Sequence, residues 1–180
     1  EAHALVEGFL KKTITSGQLS DVSQEARNAY DAFLKWYGEV KPEVINVEEV
    51  IYSEAYDFAG TYDAMMKIDG KVYLTDLKTT NASRKAPNGV YPDYFIQLGL
   101  YALAHEEQRV YEQREAHSEG GSHLEQVEGL AVISAKKNGK MDVVTNEDLG
   151  LTLEDCMGMG RRVVDLYRFL QYTTNQLGGK

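Results

Sequence analysis

The chain has 180 residues, 43% of them hydrophobic, and carries 19 Lys plus Arg against 28 Asp plus Glu, a formal net charge of −9. That length supports one domain, 1–180, with a sizeable core. The charge excludes a protein that coats nucleic acid through its general surface, but not a local site that meets nucleic acid or a metal ion. No apolar run reaches the roughly 18 residues of a membrane span, so no membrane is expected. Cys156 is the only cysteine, which excludes an internal disulfide and any multi-cysteine zinc or iron–sulfur site. A reducing, intracellular compartment fits that cysteine usage. The start at Glu1, without Met or signal-peptide character, fits a fragment truncated at its N-terminus.

In chain order, EAHALVEGFLKK places Ala4, Leu5, Gly8 and Phe9 at helical spacing. Asp21 with Gln24 three residues on predicts the capping box of a second helix, whose stripe runs through Ala26, Ala29, Tyr30, Phe33 and Tyr37 to a stop at Pro42. β-Branched residues then predict three strands, VINVEEVIYS, FAGTYDAMMKI and KVYLTDLKT, the last two joined by Asp69-Gly70, a strong hairpin signal. Residues 80–91 read as a polar loop, and Pro92 opens a helix from about Asp93 to Arg114. The stretch 106–128 holds seven Glu against two Arg and includes a mobile acidic insert at about 115–124. QVEGLAVISAKK and KMDVVT form a second hairpin over Asn138-Gly139, and a last helix runs from about Thr152 to Gln171. The fold class expected is α/β (α+β): a mixed central sheet flanked by helices.

The first hairpin carries the chemistry. Counting outward from a two-residue turn at Asp69-Gly70 sets Asp63 opposite Asp76, with Cβ atoms about 4.5–5.5 Å apart. Lys78, two residues beyond Asp76, projects from the same face, together with Met65 and Leu74. Tyr62, Ala64, Met66 and Leu77 take the other face. Two opposed carboxylates in a half-buried sheet repel each other unless a shared proton or a cation compensates them. Oxygen ligands suit Mg²⁺ or Mn²⁺. A cation held by two aspartates beside a lysine is an arrangement for phosphodiester hydrolysis: the ion activates water and binds a phosphate oxygen, and the ammonium orients the water.

GTYD (60–63), DLK (76–78) and QLGLY (97–101), in this order and spacing, resemble successive motifs of the PD-(D/E)xK nucleases. The likeness is to their RecB-like exonuclease branch, which includes phage and mitochondrial-maintenance exonucleases, and it runs from His3 through Tyr101. The family's proline is absent, since Tyr62 precedes Asp63. The resemblance implies a restriction-endonuclease-like fold and a divalent-metal nuclease with Asp63 and Asp76 as ligands and Lys78 as the catalytic lysine. It also implies one or two Mg²⁺ or Mn²⁺ ions, with the Leu77 carbonyl as a further ligand and Gln97 and Tyr101 guiding the DNA strand. His3, on the first helix, matches the histidine that completes the metal shell in that branch, and Glu7, four residues on, is the alternative ligand.

By the same resemblance the substrate is DNA, single-stranded or at the end of a duplex, processed for recombination, repair or replication. The setting is a bacterial or phage-infected cell or an organelle, with a helicase, polymerase or single-strand-binding protein as partner. No ATP-binding G-x-x-x-x-G-K-[ST] is present, and the single cysteine sets the chain apart from iron–sulfur members. Arg84 and Lys85 in the 80–91 loop, Tyr91 as a base-stacking ring, and Gln97 are the expected DNA contacts. Lys11, Lys12, Lys136, Lys137, Arg161 and Arg162 are further basic candidates. Glu48 and Glu49 on the strand before the hairpin and Glu54 in the turn that follows read as exposed charge, with orientation of a water or a second metal as the other reading, and His105, His117 and His123 show no ligand spacing. The alternatives are an endonuclease of the same fold and a non-catalytic DNA-binding module.

Overall fold

A computed structural model describes residues 1–79, 89–115 and 124–178. Arg84, Lys85, His117, His123 and nearly all of the expected acidic insert lie outside the described residues. The elements are α1 (Ala2–Leu10), α2 (Ser16–Ser20), α3 (Gln24–Val40), β1 (Glu43–Ser53), β2 (Phe58–Ile68), β3 (Lys71–Lys78), α4 (Pro92–Glu115), β4 (Gly129–Ala135), β5 (Met141–Thr145), a single 3-10 turn (Glu147–Leu149) and α5 (Leu153–Gly178). The sheet runs β1-β2-β3-β4-β5, antiparallel except where β4 lies parallel to β3, with Lys78 beside Ser134. That parallel pair needs a long crossover, and α4 supplies it. This is the mixed sheet expected.

Each face of the sheet packs a separate core. On one face Met65, Val72, Leu74 and Val132 meet Phe95, Leu98 and Ala102 of α4 and Cys156 of α5. On the other, Ala64, Met66, Leu77 and Ile133 meet Leu5 and Val6 of α1 and Ala29, Tyr30 and Phe33 of α3. Sheets covered on both faces explain the near-continuous apolar run of β4, every residue of which is buried. α4 and α5 approach closely because Gly99 has no side chain: a Cβ there would stand 2.3 Å from the Cys156 carbonyl oxygen. The latter half of α5 carries Val163, Leu166, Tyr167, Phe169, Leu170 and Tyr172 exposed.

Three details differ from the sequence expectations. The second predicted helix is capped by Ser23, whose hydroxyl accepts from the Ala26 N–H, not by Asp21. A capping box does occur, but earlier, between Thr15 and Gln18 of the unforeseen helix α2, and Asp21 is the C-cap of that helix, two residues before the N-cap of α3. Tyr62 also leaves the face assigned to it. It packs with Met65 in the α4-side core rather than with Ala64 and Met66. Strict alternation fails here because β1 is irregular: it shifts register between Val44 and Asn46, and Glu48 sits at φ 50°. The buried Tyr62 hydroxyl then finds polar partners, donating to Glu49 Oε2 at 3.0 Å and accepting from Asn46 at 3.4 Å.

Candidate active site

The turn behind the site has the backbone its sequence demands. Asp69 and Gly70 both take positive φ, 50° and 84°, the mirror-image turn whose twist matches the flanking strands. It fixes the register Ala64–Thr75, Met65–Leu74, Met66–Tyr73, as counted from the sequence, so Asp63 and Asp76 are the next opposed pair. The backbone ladder ends there because the Asp63 carboxylate takes the place of a carbonyl: Leu77 N–H donates to Asp63 Oδ2 at 2.6 Å.

Asp76 is 5% exposed. Its two oxygens lie 2.9 and 2.7 Å from Lys78 Nζ, yet only the first meets the ammonium with hydrogen-bond geometry. Burial pushes the Asp76 carboxyl above its ordinary value, and the nearby Asp63 charge pushes the same way, against Lys78 and His3. His3, in the first turn of α1, brings Nε2 to 3.3 Å from Asp63 Oδ2, an ion-pair distance off the line a hydrogen bond requires. The Asp63 contact nonetheless holds the imidazole above its ordinary value, opposed by burial and aided by the fields of Glu48 and Glu7. Thus the structure brings His3, Asp63, Asp76 and Lys78 together. Glu7 stays one step out, accepting from Lys11 at 2.8 Å.

Helix α4 forms the opposite wall. Lys78 Nζ stands 4.8 Å from the centroid of the Tyr94 ring, and Tyr91 meets that ring edge-on at 5.7 Å. One turn further, Gln97 Nε2 donates to the Tyr101 hydroxyl at 2.8 Å. Gly60, which opens GTYD, makes room for Tyr101: a Cβ there would lie 2.5 Å from its Cε1. The first and last of the three sequence motifs therefore meet through a glycine and a tyrosine ring.

Several candidates from the sequence lie elsewhere or are already engaged. Lys11 is shared by Glu7 and Glu48, Lys137 pairs with Glu25, Lys136 with Asp142, and Arg161 with Glu154. His105 is buried against the Glu125 carbonyl. Glu49 bonds Tyr62, and Glu54 contributes its N–H to Glu107. Two residues were undervalued by the sequence. Tyr94, three residues before Gln97 and so on the same helix face, is one that the three motifs do not include, yet its ring stands beside Lys78. Glu48 was read as exposed charge, yet it falls opposite Asp63, between the pairs Val47–Ala64 and Glu49–Tyr62. Its positive φ is of the kind that gathers at functional sites, but nothing in the sequence announces it.

The model of the PD-(D/E)XK nuclease superfamily matches residues 2–171. The chain belongs to the PD-(D/E)XK nuclease superfamily. A comparison with curated proteins finds no match. Nucleases of this superfamily act on DNA and generally use divalent metals such as Mg²⁺ or Mn²⁺. The residues here fit such an ion: His3 Nε2 and Asp76 Oδ2 are buried atoms without a hydrogen-bond partner, beside a second carboxylate. Among the described residues no three His, Cys, Asp or Glu side chains gather closely enough to make a metal site by themselves. A backbone oxygen and the substrate or water would have to complete the shell. No described helix is long and apolar enough to cross a membrane.

Proposed function

We propose that this superfamily member is a Mg²⁺- or Mn²⁺-dependent deoxyribonuclease of the RecB-like branch that hydrolyses phosphodiester bonds from a DNA end. The observation that carries this reading is Asp76 Oδ2, buried without a hydrogen bond beside the Lys78 ammonium and in the field of Asp63 and His3. A buried carboxylate whose ionised form is already disfavoured gains most from a cation. Asp63, Asp76, His3 and the Leu77 carbonyl would hold the ion, which when bound supplies a Lewis acid for the phosphate and a more acidic water.

The chain's own groups do the remaining work. Leu77 N–H fixes the Asp63 carboxylate through Oδ2, the oxygen that also faces His3 Nε2. The Lys78 ammonium orients the attacking water and offsets charge growing on the phosphate oxygens. Gln97, steadied by Tyr101, presents an amide toward the strand, and Tyr91 offers a ring for a base to stack on. The order of the three motifs and the histidine on the first helix support the exonuclease branch over an endonuclease. The whole described chain serves as one nuclease domain, and Arg84 and Lys85, in the segment that follows β3, supply phosphate contacts.

The test uses end-labelled linear DNA, single- and double-stranded, alongside a closed circle, with Mg²⁺, Mn²⁺ or chelator. Metal-dependent shortening of linear DNA with the circle left intact is expected. A cut circle would mean an endonuclease, and cleavage that survives both chelator and Asp76→Ala would end the metal reading.

A further inference from the structure

Resting on that metal-dependent reading, we infer that Tyr94 is a positioning residue for Lys78: its ring face holds the lysine ammonium within reach of the site when Asp76 turns to a cation.

Lys78 and a divalent ion want the same carboxylate. Nζ now lies within 2.9 Å of both Asp76 oxygens, and Asp76 is buried, so it has no room to serve the lysine fully and a metal at once. An ammonium released from a carboxylate, on a side chain with four rotatable bonds, ordinarily swings into solvent. Here one quarter of the Lys78 side chain is exposed, so the exit is open. The alternative partner is already in place. The ammonium sits 4.8 Å from the Tyr94 ring centroid, within cation–π range, and an aromatic face attracts an ammonium without competing for metal as a carboxylate would. The ring is held from the side by Tyr91, which meets it edge-on at 79°. It also comes from a rigid element: Tyr94 is in the first turn of α4, three residues before Gln97, on a helix whose next residue Phe95 is buried in the core. The phenol is raised above its ordinary value chiefly by burial, with Lys78 opposing and Asp76 adding, which puts the ring in the field of both groups.

The ring, not the hydroxyl, is what the inference needs, and this separates it from ordinary packing. Phe keeps the aromatic face; Leu keeps the apolar volume but loses the quadrupole. Mn²⁺ binding to the full chain is measured by calorimetry, and cleavage kinetics at saturating Mn²⁺, for wild type, Tyr94→Phe, Tyr94→Leu, Lys78→Met and the double variant Lys78→Met/Tyr94→Leu. In Tyr94→Leu, Mn²⁺ affinity falls about two- to fivefold, the size of a partly exposed cation–π contact, because freeing Asp76 now strands the ammonium. Its kcat falls about tenfold with KM for DNA nearly unchanged, because the lysine is misplaced only at the chemical step. Tyr94→Phe restores both. In the Lys78→Met background, Tyr94→Leu leaves Mn²⁺ affinity unchanged.

Loss in Tyr94→Phe equal to that in Tyr94→Leu, or a loss of affinity that persists without Lys78, overturns the inference, since either marks a structural role. A wild type that binds Mn²⁺ and cleaves, alongside a Tyr94→Leu variant equal to it, overturns this inference alone. A wild type that does neither overturns the metal-dependent reading as well.

Discussion

The two walls of the site are built on different physics. The α4 wall is aromatic and tightly fitted: Tyr94 lies over Lys78, Tyr101 fills the space left by Gly60, and Gly99 seats the helix on α5. The α1 wall is ionic: His3 faces Asp63, and behind it Lys11 is shared by Glu7 and Glu48. Close packing shapes the first wall. The second is fixed by charges that a metal ion or a change of pH would redistribute. The α4 side should therefore control geometry and turnover, and the α1 side metal affinity and its pH dependence.

The largest effect that sharpens this contrast comes from exchanging one group on each side. Lys78→Ala is expected to lower kcat by about 10²–10³-fold, as when a preorganised donor to a developing charge is removed, while leaving Mn²⁺ binding intact or tighter because Asp76 is freed. His3→Gln is expected to weaken Mn²⁺ binding by about 10–100-fold, the range for groups that orient or complete a metal shell, with much of kcat recovered at high Mn²⁺. Calorimetry and steady-state kinetics on both variants check the pair. If His3→Gln reduced kcat without touching affinity, the division between the walls would fail.

How much of this was open to sequence reading follows the same division. The α4 side was legible because its determinants are local and periodic. Asp69-Gly70 dictates a turn, the turn dictates register, and register places Asp63, Asp76 and Lys78. A four-residue spacing puts Gln97 and Tyr101 on one face. On the α1 side only the family resemblance points to His3 and Glu7, because these groups meet the sheet through tertiary contacts alone. His3 and Asp63 lie sixty residues apart in sequence. Glu48 reaches the site region through a local irregularity of β1 that breaks alternation, and the same irregularity misled the reading of Tyr62. Gly60 shows a third case. Its identity was visible, but its reason, the ring of Tyr101 forty-one residues on, was not.

A smaller effect tests the fitted wall. Gly60→Ala sets a Cβ against the tip of Tyr101, a half-buried side chain that can swing aside, so the melting temperature should barely move while kcat falls about tenfold through the displaced Tyr101–Gln97 pair. Gly99→Ala sets a Cβ against backbone, the Cys156 carbonyl, which cannot yield, so it should cost about 1–3 kcal/mol of stability. Thermal melts and kinetics on both variants separate the two. Equal destabilisation would show that Tyr101 is locked by more than its contact with Gly60.

The smallest effect, and the one that addresses the ionic wall, is the pH dependence of the metal-free protein. His3 is raised above an ordinary value of 6.5 by Asp63, and Asp76 above 3.8 by burial. Both shifts are upward, so across this window the folded protein binds more protons than the unfolded chain. The stability these groups contribute is fully present below their unfolded values and is lost as pH rises through the folded ones: His3 gives up its pairing with Asp63, and Asp76 is left ionised in a buried place. Other carboxylates, Glu147 and Asp155 among them, are lowered and act oppositely, so the site is isolated by differences between variants. His3→Gln and Asp76→Asn remove one titrating group each. The melting temperature of His3→Gln minus that of the wild type should therefore climb as pH is raised from about 5 to 8, the range in which a perturbed histidine titrates, and that of Asp76→Asn as pH rises above the ordinary carboxylate value of 3.8. Saturating Mn²⁺ should reverse the trend in the wild type, because binding requires both groups deprotonated. Differences that stay flat across that range would mean that the His3–Asp63 and Asp76 charges are already balanced without an ion, and the argument that this wall waits for metal would lose its footing.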